Sequence, residues 1–249
     1  MAFDLDDTLA PSKAPIDPRM AGLLTRLLGV VEVCIVSGGS FEQFRTQVLA
    51  HLPADPGALS RLHLMPTNGT RYYRFVDGGW RLQYAEDLSD EVKRRVVDVL
   101  AQGARDLGLW EPHPWGEIVE DRGSQITFSA LGQSAPIEAK RGWDPTGAKR
   151  ERLRAYASAR LPDLEVRSGG STSVDVTRKG VDKAYAMRKL MDALGLVPAD
   201  VLFVGDRLDP GGNDHPVTTT GIACHAVTGW PDTAEYVERF LAGRVPLNR

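Results

Sequence analysis

Short apolar runs alternate with amphipathic stretches along residues 1–70. The runs at 31–36 and 62–65 are hydrophobic almost throughout, which is typical of strands that are buried on both faces. Before and between them, apolar residues recur every three or four positions, which predicts two helices. The resulting β-α-β-α-β order predicts a parallel sheet that is covered by helices on both sides.

The two predicted helices have recognisable starts. Asp17 followed by Pro18 is favourable, because an aspartate at the N-cap accepts a hydrogen bond and proline fits the first helical position. Ser40 and Gln43 have the spacing of a capping box, in which each side chain binds a backbone N–H at the helix start. We therefore expect these two residues to begin the second helix.

The pattern changes after residue 70. Residues 71–84 predict a hairpin with its turn at Asp77-Gly78-Gly79. The following stretch, to about residue 179, contains strand-like runs and two helices without the β-α-β order. Such a mixture is typical of an α+β domain.

The first pattern returns near residue 180. A helix predicted to follow Asp182 precedes two more apolar strands, at 201–204 and 222–227. We therefore predict an α/β chain with a doubly wound parallel-sheet core and an inserted α+β cap domain. The predicted boundaries are 1–84 and 180–249 for the core and 85–179 for the insert.

Length and composition are those of an ordinary globular protein. The chain has 249 residues, of which 42% are hydrophobic and 25% charged. The net charge of −3 gives no reason to expect binding to nucleic acid. We find neither a signal peptide nor a membrane-spanning segment in the sequence, so we expect a cytoplasmic protein without a membrane partner. The sequence leaves a homodimer open.

The first chemical feature lies at the start of the chain. Asp4 and Asp6 follow the first predicted strand, within Asp4-Leu5-Asp6-Asp7-Thr8. Their oxygens can converge on a hard cation such as Mg²⁺, and a carboxylate beside Mg²⁺ can also attack phosphorus and carry a phosphoryl group. Only three residues precede Asp4. We therefore expect either a native start upstream of Met1 or a shortened first strand.

Polar residues also follow three other predicted strands. Since the carboxyl ends of parallel strands meet at one edge of a sheet, we expect these residues to lie near the opening acids. Their hydroxyl and backbone N–H groups can hold phosphate, and their acids can add hard oxygen ligands for a metal. The residues in question are Ser37 with Gly38, Asn68 with Gly69, Asp206, and Asn213 with Asp214.

A cation is needed to balance the charge of a phosphoryl group at this edge. Lys179 and Lys183 flank Gly180-Val181-Asp182, and the residues alone do not decide between them. A nucleotide-binding α/β protein is a poorer interpretation, because the chain has no G-x-x-x-x-G-K-[ST] loop and no G-x-G-x-x-G after a strand.

Together, these segments resemble the four motifs of the haloacid dehalogenase (HAD) superfamily of phosphotransferases. The insert resembles the C2 cap of subclass IIB, which contains sugar phosphatases and phosphomannomutases. The segments at 169–176 and 210–215 are most similar to eukaryotic-type phosphomannomutase. The resemblance implies an enzyme with a HAD core and a C2 cap, which uses Mg²⁺ and acts on a small phosphorylated sugar.

The resemblance also implies a role for each matching residue. Asp4 would be the nucleophile and Asp6 the general acid and base. Asp206 would bind the metal together with the Asp4 carboxylate and the Asp6 backbone carbonyl. Lys183 would be the lysine of the third motif and would also bind phosphate. The other expected contacts are Ser37 and Gly38 to phosphate, Asn68, Arg122, Ser173 and Asp175 to the substrate, and Asn213 and Asp214 to the metal.

The chain departs from the mutase pattern at three positions. Gln133 and Lys140 stand where the family carries arginines, and Asp7 stands where it usually carries glycine. A mutase must hold a hexose bisphosphate while it turns round, a task that suits bidentate arginines. We therefore predict a Mg²⁺-dependent phosphatase that hydrolyses a sugar phosphate through an aspartyl-phosphate. The alternatives are a phosphomannomutase that uses the same intermediate and a non-catalytic protein that binds phosphosugars.

Overall fold

A computed structural model describes residues 1–243. Residues 244–249, which the sequence analysis assigns to the core, lie outside the described residues. The chain divides into two compact units: a core unit of Met1–Ala85 and the chain from Val181 onward, and a cap unit of Glu86–Gly180. None of the helices in the described part of the chain is long and apolar enough to cross a membrane.

The elements follow one another in three groups. Those before the cap unit are β1 (Ala2–Asp4), α1 (Pro18–Leu28), β2 (Val33–Val36), α2 (Phe41–Gln47), α3 (Pro56–Leu59), β3 (Leu62–Met65), β4 (Arg71–Val76) and β5 (Gly79–Ala85). Those of the cap unit are α4 (Asp90–Asp106), β6 (Val119–Asp121), β7 (Gln125–Ser129), α5 (Ile137–Trp143), α6 (Ala148–Arg160), β8 (Leu164–Ser168) and β9 (Ser173–Arg178). Those after it are α7 (Lys183–Leu194), β10 (Leu202–Gly205), β11 (Ala223–Ala226) and α8 (Trp230–Leu241).

The core unit is built on a seven-stranded sheet in the order β11-β10-β1-β2-β3-β4-β5. The first five strands of this order are parallel, whereas β4 and β5 are antiparallel. The three residues of β1 are all buried, and the strand is paired on both sides, with β10 and β2. This sheet confirms the predicted α/β fold with a parallel core.

Both faces of the core sheet are buried. Phe3 and Val204 belong to a hydrophobic cluster that includes residues of α1 and α8. Their chain neighbours Ala2 and Phe203 belong to a second cluster, which includes residues of α7. Since successive side chains of a strand point to opposite faces, burial on both sides explains why these strands are continuous apolar runs.

The predicted hairpin is confirmed as β4 and β5. Val76 pairs with Gly79, which leaves Asp77 and Gly78 as a two-residue turn with φ angles of 51° and 74°. Positive φ at both positions is the type I′ geometry, whose twist matches that of the flanking strands. Glycine adopts this conformation without strain, and aspartate tolerates it better than most residues.

The cap unit contains a four-stranded antiparallel sheet in the order β6-β7-β9-β8. Its apolar residues, among them Phe128 and Val176, form a cluster with Leu100 of α4 and Leu153 of α6. The sequence analysis predicted these two helices but missed α5. That helix has no side-chain cap and no buried residue, so it lacks the apolar stripe from which a helix is predicted.

The predicted helix starts have different outcomes. Asp17 is the N-cap of α1 and accepts a hydrogen bond from Arg19 N at 2.8 Å, as expected. The predicted capping box of Ser40 and Gln43 is wrong, because the Ser40 side chain makes no capping bond. Gln43 instead donates from Nε2 to Oδ2 of Asp6 at 2.9 Å. A carboxylate is a stronger acceptor than a neutral group, so a tertiary contact replaces the local one.

Asp144 organises the start of α6 in the cap unit. Its carboxylate, 4% exposed, accepts hydrogen bonds from Lys149 N at 3.1 Å and from Arg150 N and Nε at 3.0 and 3.1 Å. Burial raises the pKa of Asp144, but these bonds together lower it below its ordinary value. Arg150 also donates to the carbonyls of Gly169 and Gly170. Asp144 therefore connects the helix to the loop that precedes β9.

We expect Asp144→Asn to lower the free energy of unfolding of the cap unit by about 1–3 kcal/mol at neutral pH. Because the folded-state pKa is depressed, the carboxylate's contribution is complete above its unfolded pKa of about 3.9 and is lost as the pH falls through the folded value. The difference between wild type and variant should therefore shrink below about pH 4. Amide hydrogen exchange of α6 at neutral pH and below about pH 4 measures this difference in stability.

The matched control is Asp163→Asn, which removes an exposed ion pair with Arg95 in the same unit. An exposed pair contributes little, so this substitution should leave the exchange rates of α6 nearly unchanged. Equal effects of the two substitutions, or a difference that persists undiminished at low pH, would contradict the role assigned to Asp144.

Candidate active site

A lysine and two carboxylates meet at the end of the first strand. Asp4 ends β1, and Lys183 begins α7. Nζ of Lys183 lies 2.5 Å from Oδ1 of Asp4 and 2.5 Å from Oδ1 of Asp214. The lysine is only 1% exposed. Asp182 caps α7 by accepting a hydrogen bond from Tyr185 N at 2.8 Å, which fixes the helix start at the residue beside Lys183.

Burial and charge oppose each other at this contact. Burial by itself lowers the pKa of Lys183, but the adjacent carboxylates of Asp4 and Asp214 outweigh it, so the pKa is raised and the ammonium stays protonated. Burial raises the pKa of Asp4 well above its usual range; Lys183 acts in the opposite direction, and the charge of Asp214 adds to the rise. Additional positive charge would therefore favour the ionised form of Asp4.

The acids form a cluster that fits a divalent cation. Asp4, Asp206 and Asp214 each offer an oxygen atom within 4.8 Å of the others. Three carboxylates and the Lys183 ammonium have a net charge of −2 when all are ionised. Burial and the neighbouring Asp214 raise the pKa of Asp206, as expected where negative charge is insufficiently balanced. Hard oxygens with this net charge suit Mg²⁺.

Asp4 and Asp206 are the two acids best placed to hold such an ion. The oxygens of Asp214 already accept hydrogen bonds, Oδ1 from Lys183 and Oδ2 from Arg207 N at 3.0 Å. Asn213, predicted as a further ligand, is exposed. Asp214 is therefore placed as a partner of the lysine, and contacts of Asn213 and Asp214 with the metal stay predictions.

Thr8 connects Asp206 to the first loop of the core unit. Its hydroxyl donates to Oδ1 of Asp206 at 3.2 Å and accepts from Asp206 N at 3.1 Å. This reciprocal pair orients Asp206. The adjacent Asp7 has φ 60°, in the left-handed region that glycine adopts without strain and aspartate tolerates, and its carboxylate accepts from Ser12 N at 3.1 Å.

The carboxylate of Asp6 is bound by donors from two other segments. Oδ1 accepts from Lys13 N at 2.7 Å and from Nε2 of Gln47 at 3.3 Å, whereas Oδ2 accepts from Nε2 of Gln43 at 2.9 Å. Sequence reasoning missed both glutamines as functional residues. A contact of Asp6 with the metal through its backbone carbonyl stays a prediction.

Ser37 follows β2, the neighbour of β1 in the sheet. Its buried hydroxyl accepts from Gly39 N at 3.1 Å, and its carbonyl accepts from Asn68 N at 2.9 Å. The Asn68 side chain lies beside Gly38, 3.6 Å from where a Cβ would stand on that glycine. The predicted phosphate-binding residues Ser37 and Gly38 and the predicted substrate residue Asn68 therefore form one loop cluster.

Two of the predicted cap residues share a polar face of the cap sheet. Asp175 accepts from the Thr127 hydroxyl at 2.7 Å, and the hydroxyls of Ser173 and Ser129 lie 3.2 Å apart. These side chains come from paired positions of β7 and β9. Thr127 and Ser129 were not predicted, although the alternation of polar and apolar residues in β7 could have revealed them.

Arg122, the third predicted cap residue, lies in the turn between β6 and β7. It forms an ion pair with Glu120 at 2.7 Å. Gln133 and Lys140, which stand where the family carries arginines, are hydrogen-bonded to each other. Gln133 donates from Nε2 to the Ser129 hydroxyl at 3.1 Å, and Lys140 donates to the Gln133 carbonyl at 2.8 Å. Both belong to the polar network of the cap sheet.

Comparison with known proteins identifies relatives along most of the chain. A family model described as eukaryotic phosphomannomutase matches residues 20–242. A probable phosphomannomutase from Caenorhabditis elegans is 26% identical over 253 residues, which cover 97% of this chain and 94% of that protein. Human phosphomannomutase 1 is 25% identical over 244 residues, which cover 94% of this chain and 88% of that protein.

Solved structures share the fold at lower identity. A haloacid dehalogenase-like hydrolase from Bacteroides thetaiotaomicron has a TM-score of 0.62 and 16% identity, and the match covers 96% of this chain and 98% of that one. C-terminally truncated IMP-nucleotidase from Plasmodium falciparum has a TM-score of 0.72 and 15% identity, with coverage of 98% and 71%. These likenesses concern the fold alone and confirm that it is HAD-like.

The comparisons correct the predicted activity. The prediction of a phosphatase is wrong, because the relatives that match nearly the whole chain are named phosphomannomutases. It rested on the departures at Gln133, Lys140 and Asp7. An amide and an ammonium can also donate hydrogen bonds to phosphate, so the loss of bidentate arginines does not exclude a bisphosphate. The resemblance to HAD enzymes and to phosphomannomutases is confirmed. Since the family model matches residues 20–242, the chain is a HAD-type enzyme that belongs to the eukaryotic phosphomannomutase family.

Proposed function

We propose that the protein is a phosphomannomutase, which moves a phosphoryl group between two hydroxyl positions of mannose phosphate through an aspartyl-phosphate on Asp4. The observation that carries this proposal is the buried contact between Asp4 and Lys183 in a chain of this family. A nucleophilic carboxylate requires nearby positive charge, and Lys183 supplies it.

The reaction has two half-reactions that are chemically the reverse of each other. In the first, an oxygen of Asp4 attacks phosphorus of a hexose 1,6-bisphosphate, the bond from phosphorus to the sugar oxygen breaks, and Asp6 donates a proton to that oxygen. In the second, a hydroxyl of a hexose monophosphate attacks the aspartyl-phosphate, Asp6 accepts its proton, and Asp4 is released. Asp6 is thus acid and base in turn.

Other residues bind and orient the substrate. Mg²⁺, held by Asp4 and Asp206, would supply positive charge at the phosphoryl oxygens. Lys183 balances the charge of the transferred group and keeps Asp4 in place. We assign phosphate binding to Ser37, Gly38 and Lys183, and contacts with the sugar phosphate to Asn68, Arg122, Ser173 and Asp175.

The proposal predicts isomerisation that depends on a bisphosphate. Purified protein with Mg²⁺, mannose 6-phosphate and a catalytic amount of glucose 1,6-bisphosphate should produce mannose 1-phosphate faster than it releases inorganic phosphate. ³¹P NMR follows the two sugar phosphates, and a colorimetric assay follows phosphate. Omission of the bisphosphate should slow isomerisation strongly, because the unphosphorylated enzyme has no phosphoryl group to donate. Phosphate release that exceeds isomerisation at every bisphosphate concentration would contradict the proposal.

A further inference from the structure

Both oxygens of the Asp6 carboxylate are held by side chains of one helix. Gln43 and Gln47 are four residues apart and therefore lie on the same face of α2. Each donates from its Nε2 to Asp6, Gln43 to Oδ2 at 2.9 Å and Gln47 to Oδ1 at 3.3 Å. Two separate amides are thus aimed at one carboxylate.

The orientation of the Gln47 amide is costly and specific. Gln47 is 3% exposed, and its Nε2 also donates to the carbonyl of Ala14 at 2.9 Å. Its Oε1 is buried and has no hydrogen-bond partner among the described residues. Rotating the amide by half a turn would place this oxygen against the acceptors of Asp6 and Ala14, which is worse. The amide therefore keeps its donor on Asp6 at the expense of its own acceptor.

The orientation of the Gln43 amide depends on Gly39. The Oε1 atom of Gln43 lies only 2.0 Å from where a Cβ would stand on Gly39, so any larger residue there would displace the amide. Gln43 also takes no part in capping α2, and Ser40 at the N-cap makes no side-chain bond. The Gln43 amide is therefore not used to cap α2 and can donate to the Asp6 carboxylate.

The two oxygens of Asp6 differ in how many donors they accept. Oδ1 accepts two N–H groups, from Lys13 and Gln47, whereas Oδ2 accepts one, from Gln43. A carboxylate oxygen has two lone pairs in the carboxylate plane, so the bonds to Oδ1 use both. A proton on Oδ1 would also point at N–H donors. The second lone pair of Oδ2 is the one that can take a proton.

We propose that Gln43 and Gln47 are positioning residues for proton transfer by Asp6, and that Oδ2 is the oxygen through which the proton moves. The inference rests on the proposed function, in which Asp6 protonates the departing sugar oxygen. Holding both oxygens prevents the carboxylate from rotating, so that Oδ2 keeps one direction in both half-reactions.

The test compares a phosphoryl donor whose leaving group must be protonated with one whose leaving group needs no proton. Departure of a sugar oxygen requires protonation, whereas acetyl phosphate has a leaving group that departs as a stable anion. Gln43→Met should lower kcat for hexose phosphate isomerisation about 10-fold, as part of the 10²–10⁴-fold that a general acid supplies, and change KM less than about 2-fold. Phosphorylation of Asp4 by acetyl phosphate, followed by mass spectrometry, should keep its wild-type rate.

Gln102→Met is the matched control. Gln102 donates from Nε2 to Oδ1 of Asp106 at 2.6 Å on the cap helix α4, so the substitution removes the same kind of bond elsewhere. It should change neither rate. A loss that is equal for both phosphoryl donors, or a rise in KM without a fall in kcat, would show that Gln43 only supports the local structure and would overturn the inference. Unchanged isomerisation by Gln43→Met would do the same.

Asp6→Asn separates this inference from the proposed function. If Asp6→Asn abolishes isomerisation and Gln43→Met does not reduce it, the proposed function stands and the positioning role fails. If Asp6→Asn retains wild-type isomerisation, the protein is still a mutase, but Asp6 is not its acid and base and the positioning role fails; the proposed function itself fails only if the wild-type protein does not isomerise mannose phosphate.

Discussion

Asp4→Asn is expected to lower kcat for mannose phosphate isomerisation at least about 10³-fold while the protein stays folded. Asparagine has nearly the same shape as aspartate and can still accept a hydrogen bond from Lys183, but its amide does not attack phosphorus. Because burial raises the pKa of Asp4, its ionised carboxylate carries a desolvation cost in the folded state. A neutral side chain removes that cost, so the melting temperature should not fall.

The measurements are the isomerisation rate, the thermal unfolding curve and the mass of the intact protein after incubation with hexose bisphosphate. Asp7→Asn provides the control, since Asp7 is a nearby acid that is exposed and asparagine tolerates its φ of 60°. It should keep its activity and gain the mass of one phosphoryl group. A phosphorylated Asp4→Asn protein would show that the nucleophile lies elsewhere.

Lys183→Met is the second substitution with a large expected effect. It should remove most activity and lower the free energy of unfolding of the core unit by about 3–5 kcal/mol at neutral pH. Without the ammonium, the carboxylates of Asp4 and Asp214 remain buried beside each other with no positive partner in the lysine's place. Removal of one partner from a buried ion pair is among the most destabilising substitutions.

The destabilisation by Lys183→Met should depend on pH. Burial raises the pKa of Asp4, and without the opposing charge of Lys183 the folded variant binds more protons than the unfolded chain and gains stability as the pH falls. Urea unfolding at about pH 7 and about pH 5 measures this. Lys179→Met is the control, because Lys179 is exposed. Equal unfolding midpoints of the two variants would contradict a buried ion pair at Lys183.

The order of the elements could be predicted because burial leaves a direct trace in the sequence. Within the run at 31–36, the four residues of β2 are all apolar because this strand is covered on both faces. The hairpin could be predicted from Asp77 and Gly78, which suit positive φ. The sequence analysis missed the helices α8 and α5. Helix α8 could have been predicted, because it carries the buried residues Ala234 and Val237 at helical spacing. Helix α5 has no buried residue, so its sequence shows no apolar stripe.

The acids at the strand ends could be predicted to meet because topology brings the ends of parallel strands to one edge. The partners of these acids could not. Local spacing predicts that Gln43 pairs with Ser40, whereas in the folded chain the Gln43 amide donates to the charged carboxylate of Asp6 on another segment. Likewise, either Lys179 or Lys183 could have been the cation by the residues alone, and the choice depends on where α7 begins.

The chain re-enters the core unit at Val181, two residues before the lysine that touches Asp4. The cap unit is joined to the core unit at two places, between Ala85 and Glu86 and between Gly180 and Val181. Replacement of the cap unit by that of a related protein is therefore constrained more at the second joint than at the first, which follows the edge hairpin β4–β5. A graft that shortened the second joint by one residue would rotate the start of α7 by about 100°. Any transplanted cap unit must therefore keep the same number of residues between its end and Asp182, the N-cap of α7, whatever its own fold.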